Sequence, residues 1–177
     1  MYLCVNLTFE NWLSLASVLF IAIGGCFALY QWRSSIKTKR AKFITQILEK
    51  LRFDKELVEI MYMVEYGNKE WYNIDFHKNK ELESSIDNLF SFLDYISYLK
   101  SNGNISKKEF KIFQYKINRV CVSLSTKKYL WTLYHWSKKN NADCSFQFLI
   151  DYGIKNKFFP KDFKKNTTLY DNETLNW

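Results

Sequence analysis

Proline and glycine are almost absent from this chain, with one proline and five glycines in 177 residues. Few positions suit tight turns, and long uninterrupted segments rich in Leu, Lys, Glu, Ile and Phe favour an all-α fold. Histidine is as scarce: His77 and His135 are the whole complement, which starves most general acid–base schemes. His135 stands among Trp131, Tyr134 and Trp136 and reads as part of an aromatic cluster; His77, beside Lys78, reads as facing solvent. Cys4, Cys26, Cys121 and Cys144 are dispersed, with no C-x-x-C pair and no histidine at zinc spacing. Neither a disulfide framework nor a metal site is expected, and reduced thiols suit a cytoplasmic domain. No glycine-rich phosphate loop, G-x-S-x-G elbow or H-E-x-x-H helix is present. The expectation is a chain without cofactor or enzymatic activity.

What is abundant is apolar and aromatic. Leu13 to Tyr30 (LSLASVLFIAIGGCFALY) contains no ionised side chain and lies between Trp12 and Trp32. At about 1.5 Å per residue, the stretch from one tryptophan to the other reaches about 30 Å, the thickness of a bilayer's hydrocarbon core. A transmembrane helix over residues 12–32 is expected, with a short outer segment, residues 1–11, before it. Glu10 is the one charged side chain ahead of the span, whereas Arg33, Lys37, Lys39, Arg40 and Lys42 follow it directly. That bias keeps the following flank in the cytoplasm, so the expected topology is single-pass in a bacterial inner membrane, N-terminus outside. A cleaved signal peptide would want its positive charge before the apolar run and small residues after it. Within the span Ser14, Ser17, Gly24 and Ala28 fall along one helical face, with Gly25 beside them. Small residues let membrane helices approach closely, which makes these positions candidates for helix packing or pore lining.

The net charge of +8 is unevenly spread. Residues 41–100 carry eight basic and eleven acidic side chains, and residues 101–165 carry fourteen and four. The basic half attracts anionic lipid or RNA, or serves only as a solvated lysine face. Lys107, Lys108, Lys127 and Lys128 are the candidate contacts.

After Ser34 an apolar stripe through Ile36, Phe43, Ile44, Ile47, Leu48 and Leu51 extends the membrane helix into the next domain. Asp54 offers an N-cap for a helix through Leu57, Ile60, Met61 and Val64, which ends at Gly67. Residues 67–79 read as a loop anchored by Trp71, Tyr72 and Phe76. Helix resumes at Glu81 with a core stripe of Ile86, Leu89, Phe90, Leu93, Ile96 and Leu99, and stops at Gly103. Ser106 and Glu109 have capping-box spacing for a helix whose inner face is Phe110, Phe113, Ile117 and Val120. Shorter helices are expected over Thr126–Lys138 and Ala142–Tyr152, divided by Asn140-Asn141. The helical bundle thus occupies residues 33–160, and residues 161–177 form an irregular tail docked through Phe163, Leu169 and Trp177.

Helical RNases of prokaryotic immunity carry an Arg-x4–6-His motif, and no arginine of this chain has that spacing. Arg119 lies in a suitable helix, but Ser123, Leu124, Ser125 and Thr126 stand where the imidazole belongs. It reads as a vestigial motif position or as a polar contact at a helix surface. One N-terminal membrane helix, a basic junction from Trp32 to Arg40, and a helical domain with an eroded nuclease motif resemble the small accessory membrane protein of type VI-B CRISPR systems. The resemblance spans the layout of the whole chain. It implies a divergent HEPN-like bundle, a homo-oligomeric ring whose membrane helices form a pore, and a functional partnership with an RNA-guided RNase in antiphage defence. The alternative is a membrane-tethered module that binds RNA or anionic lipid directly.

Overall fold

A computed structural model of the chain describes residues 8–66, 70–73 and 75–170. These residues are all-helical, with six α-helices and one 3-10 turn among them. The chain divides after Ile47 into two compact units.

The first unit is most of one helix. α1 runs from Phe9 to Phe53 without interruption, about 68 Å at 1.5 Å per residue. No proline falls inside it to break the backbone ladder. It is long and apolar enough to cross a membrane, and none of its most apolar 18-residue stretch is buried. Phe20, Ile21, Ile23 and Phe27 are all more than 60% exposed. The expected extension of the stripe holds at its far end: Ile44, Ile47 and Leu51 are buried, while Ile36 stays exposed.

The second unit is built around α3, Lys80–Ser101, which packs against α2 (Lys55–Tyr66), α4 (Lys107–Val122), α6 (Gln147–Lys155) and the 3-10 turn Phe76–Lys78. α5, Leu124–Lys139, lies against α4. Ile86, Leu89, Phe90, Leu93 and Ile96 have no exposed surface; at about 1.5–3 kcal/mol for each such side chain, this one stripe is a large share of the domain's hydrophobic stabilisation.

Local chemistry sets the boundaries. Asp54 interrupts the helix for a single residue, and its Oδ1 accepts the Leu57 N–H at 3.2 Å. The Asn79 side chain caps α3 by accepting from the Leu82 N–H at 3.1 Å. The expected capping box opens α4: the Glu109 N–H donates to Ser106 Oγ at 3.2 Å and the Ser106 N–H donates to Glu109 Oε2 at 2.7 Å. Asn102 is the C-cap of α3, and Gly103, at φ +72°, supplies the left-handed residue that follows. Asn141, at φ +53°, ends α5 as the Asn-Asn pair suggests.

α6 starts at Gln147, five residues later than the expected Ala142, because the turn-forming Asp143-Cys144-Ser145 precedes an inward-facing Phe146 that is 3% exposed. Its own N-cap side chain makes no capping bond. The capping acceptor is instead Asp94 on α3, whose Oδ1 takes the Leu149 N–H at 2.7 Å. The tail beyond Lys161 is docked through more than the expected residues. Phe163 is fully buried and stacks on Phe159 at 4.8 Å, Trp131 Nε1 donates to the Asn166 carbonyl at 2.9 Å, and Tyr170 packs edge-on to Trp131. Leu169 is half-buried; Trp177, Gly67 and residues 1–7 of the expected outer segment 1–11 lie outside the described residues, and Phe9 to Asn11 of that segment already belong to α1.

Two stability predictions follow from this packing. Burial pushes the Asp94 carboxyl up to about 6, only partly offset by the N–H groups of Leu149 and Phe148. A folded pKa above the unfolded one favours folding below about pH 4, and that contribution is lost as pH rises through 6. Asp94→Asn keeps an acceptor for α6 without the charge, so its melting temperature relative to wild type should climb between pH 4.5 and 7, read by circular dichroism. A Cβ at Gly153 would overlap the Phe159 ring; Gly153→Ala should cost about 1–3 kcal/mol, visible as a drop of several degrees in the same melt.

Candidate functional site

On α1 the candidate membrane-packing positions share one side. Ser14, Ser17, Gly24, Gly25 and Ala28 fall within about 100° of arc at about 100° per residue, and all are exposed. The Ser17 hydroxyl is satisfied inside the helix, donating to the Leu13 carbonyl at 2.8 Å and reaching that of Ser14 at 3.0 Å. A side chain added at Gly24 or Gly25 would meet nothing within 4 Å, so a neighbouring helix has room to approach the backbone there. One to three turns further on, Arg33, Lys37 and Arg40 fall within about 60° of arc, while Lys39 and Lys42 face other directions. All five are exposed, forming a collar of positive charge around the helix.

The lysines singled out in the basic half separate in the structure. Lys107 and Lys108 are exposed in the first turn of α4, and Lys127 is half-buried on α5. Lys128 is a correction: it is 6% exposed and ion-paired with Glu70, so it is part of the packing and not a surface contact. The reason is that α5 presents buried residues on most of its circumference, with Ser125, Thr126, Tyr129, Leu130, Trp131 and Thr132 all inside. Arg119 sits on α4, where its Nη2 donates to the Glu65 carbonyl at 3.2 Å and its guanidinium lies 5.3 Å from the centre of the Tyr66 ring. Beside it Lys116 Nζ donates to Glu65 Oε2 at 3.1 Å. These contacts tie α4 to the end of α2.

His77 is a second correction. Its side chain is only 20% exposed, Nδ1 lies 2.6 Å from Glu83 Oε1, and its ring packs edge-on to Tyr72 and Phe76. The neighbouring Lys78 does face solvent; it pairs with Asp75 at 2.8 Å. Near His77, the Tyr129 hydroxyl donates to Asp87 Oδ1 at 2.5 Å. Burial raises the Asp87 carboxyl, with the Tyr129 bond pulling the other way, and burial and then Asp87 raise the Tyr129 phenol. Burial also raises Tyr72. The rings of Trp71, Tyr72, Phe76, Phe90 and Tyr129 surround this group at centroid distances of 5.2–6.1 Å. Polar pairs among these aromatic rings tie Tyr72, Phe76 and His77 to α3 and α5. His135 is placed as the sequence suggests, against Trp131 at 4.6 Å and Tyr134 at 5.3 Å, with Nε2 3.2 Å from the Phe163 carbonyl. Burial raises both Cys121, to about 12, and Cys144, which favours the thiol over the thiolate at each.

Sequence reasoning missed the surface beside Arg119. Tyr62, Tyr66 and Tyr115 are 66%, 50% and 59% exposed, and no motif marks them, because two helices far apart in sequence bring them together. No protein family, curated protein or solved structure matches the chain.

The buried and solvated lysines are separable by mutation. Lys128→Ala strands the half-exposed Glu70 and should cost on the order of 2 kcal/mol in thermal denaturation, whereas Lys108→Ala should stay within about 0.5 kcal/mol of wild type.

Proposed function

We propose that this chain is a single-pass inner-membrane protein, N-terminus outside and helical domain in the cytoplasm, that assembles into a homo-oligomeric ring whose membrane helices form a pore. The observation that carries the reading is the apolar stretch of α1, which none of the described residues buries. A surface of that size is stable only in lipid or against other copies of itself. The exposed small-residue face of Ser14, Ser17, Gly24, Gly25 and Ala28 supports close association between spans, where packing replaces the hydrophobic effect as the driving force. The collar of Arg33, Lys37, Lys39, Arg40 and Lys42 supports the orientation and an anchorage on anionic headgroups.

The span carries no ionisable side chain between Leu13 and Tyr30. A lumen is therefore lined by Ser14, Ser17 and the backbone near the glycines, or is gated by hydrophobic residues that exclude water. The resemblance of the layout to type VI-B accessory proteins supports a role for the pore in antiphage defence. There it depolarises infected cells in concert with an RNA-guided RNase.

Light scattering and particle imaging of the full-length protein in detergent should give closed rings of several copies, and a monomer would overturn the proposal. Gly24→Leu should dissociate the rings and abolish the infection-dependent loss of membrane potential reported by a voltage-sensitive dye. Ile23→Phe, bulky but on the opposite side of the helix, should preserve both.

A further inference from the structure

α4 is amphipathic in an unusual way. Its inner face is wholly apolar, with Phe110, Phe113, Ile117, Val120 and Cys121 buried. Its outer face aligns Lys108, Lys111, Ile112, Tyr115, Arg119 and Val122 within about 100° of arc, over about 21 Å of helix. Of these, Lys108, Lys111, Ile112, Tyr115 and Val122 are exposed and Arg119 is half-buried. α2 continues the surface sideways. Tyr66 lies near Tyr115 and under the Arg119 guanidinium, and Tyr62 packs on Tyr66 with ring centres 4.9 Å apart at 40°.

Three exposed phenol rings are thus held together and interleaved with cations. The holding is internal. The Glu65 side chain is fully buried and binds Lys116, its carbonyl binds Arg119, and the Arg119 Nε is buried with no hydrogen-bond partner. Glu65 is the acidic group facing the cluster from α2. Glu59, one turn before Tyr62, is engaged with Lys55 at 3.8 Å, and Glu109 of α4 is committed to the Ser106 cap. No acidic side chain stands among the six outer positions of α4.

The geometry points to this α2–α4 surface as a binding platform for single-stranded nucleic acid, on which Tyr62, Tyr66 and Tyr115 stack bases while Lys108, Lys111 and Arg119 hold phosphates. Every base offers a π-face, and cation-flanked aromatic rings bind single strands without needing a sequence code. Two other occupants fit less well. A membrane surface is engaged by Trp, Phe or Leu side chains that insert below the headgroups, and beside its tyrosines this face offers Ile112 and Val122. A second copy of the same face would set cations against cations. The platform is independent of the pore, since it needs neither the span nor a ring.

The test uses the full-length protein in zwitterionic nanodiscs and fluorescence anisotropy with labelled 15-nucleotide oligouridine and oligothymidine. Binding should weaken steeply with salt, and Lys111→Ala should reduce the slope of log affinity against log salt by about one. Tyr115→Ala and Tyr66→Ala should each weaken binding about ten-fold, while Tyr115→Phe, which keeps the ring, should bind like wild type. Lys139→Ala and Lys161→Ala, away from this face, serve as controls. No binding of either strand, or equal losses from the tyrosine variants and the control lysines, would overturn the assignment. So would Tyr- and Lys111-dependent capture of phosphatidylglycerol vesicles without affinity for the strands.

Discussion

The constraint behind everything else in this protein is that the apolar stretch of α1 is left unburied by the described residues. At roughly 25 cal/mol per Å² of apolar surface, leaving such a helix in water is costly enough to dictate its surroundings. The remainder of the sequence is consistent with that: no charge interrupts the stretch, tryptophans mark both ends, and cations begin within a turn of the second. The second unit has no such debt to settle. Its apolar side chains are closed off by α3, whose inner stripe touches nearly every other element.

Two kinds of polar interaction specify how elements meet around that stripe. Some are local and repeat familiar helix-end chemistry, as at Asp54, Asn79 and Ser106. Others join residues far apart in sequence: Asp94 to the start of α6, Tyr152 to Asn118 at 2.7 Å, and Tyr129 to Asp87. Apolar packing supplies most of the stability, while these directional contacts restrict each helix to one azimuth and one register.

The local kind was legible in the sequence. The 3.6-residue stripes of α2, α3 and α4, the capping box and the Asn-Asn turn all depend on residues a few positions apart, so periodicity and spacing locate them. The long-range kind was not. Lys128 reads as surface because lysine almost always is; the Glu70 carboxylate, 58 residues away, helps make its burial tolerable. His77 is drawn inward by Glu83 and two aromatic rings. The start of α6 was misplaced because its cap is borrowed from α3. The α2–α4 tyrosine surface was invisible for the same reason: each tyrosine is an ordinary exposed residue until two helices put them side by side.

The seating of Phe163 and Asn166 against the domain bears on how the chain is made. Synthesis delivers α1 first, while Trp131 waits for its partner carbonyl at Asn166 and the ring of Phe159 waits for Phe163. The core is sealed only after nearly all of the described chain has emerged from the ribosome. By then the long apolar helix has been outside the ribosome throughout the synthesis of the second unit, so the order of events along the chain exposes that helix before the domain behind it can close.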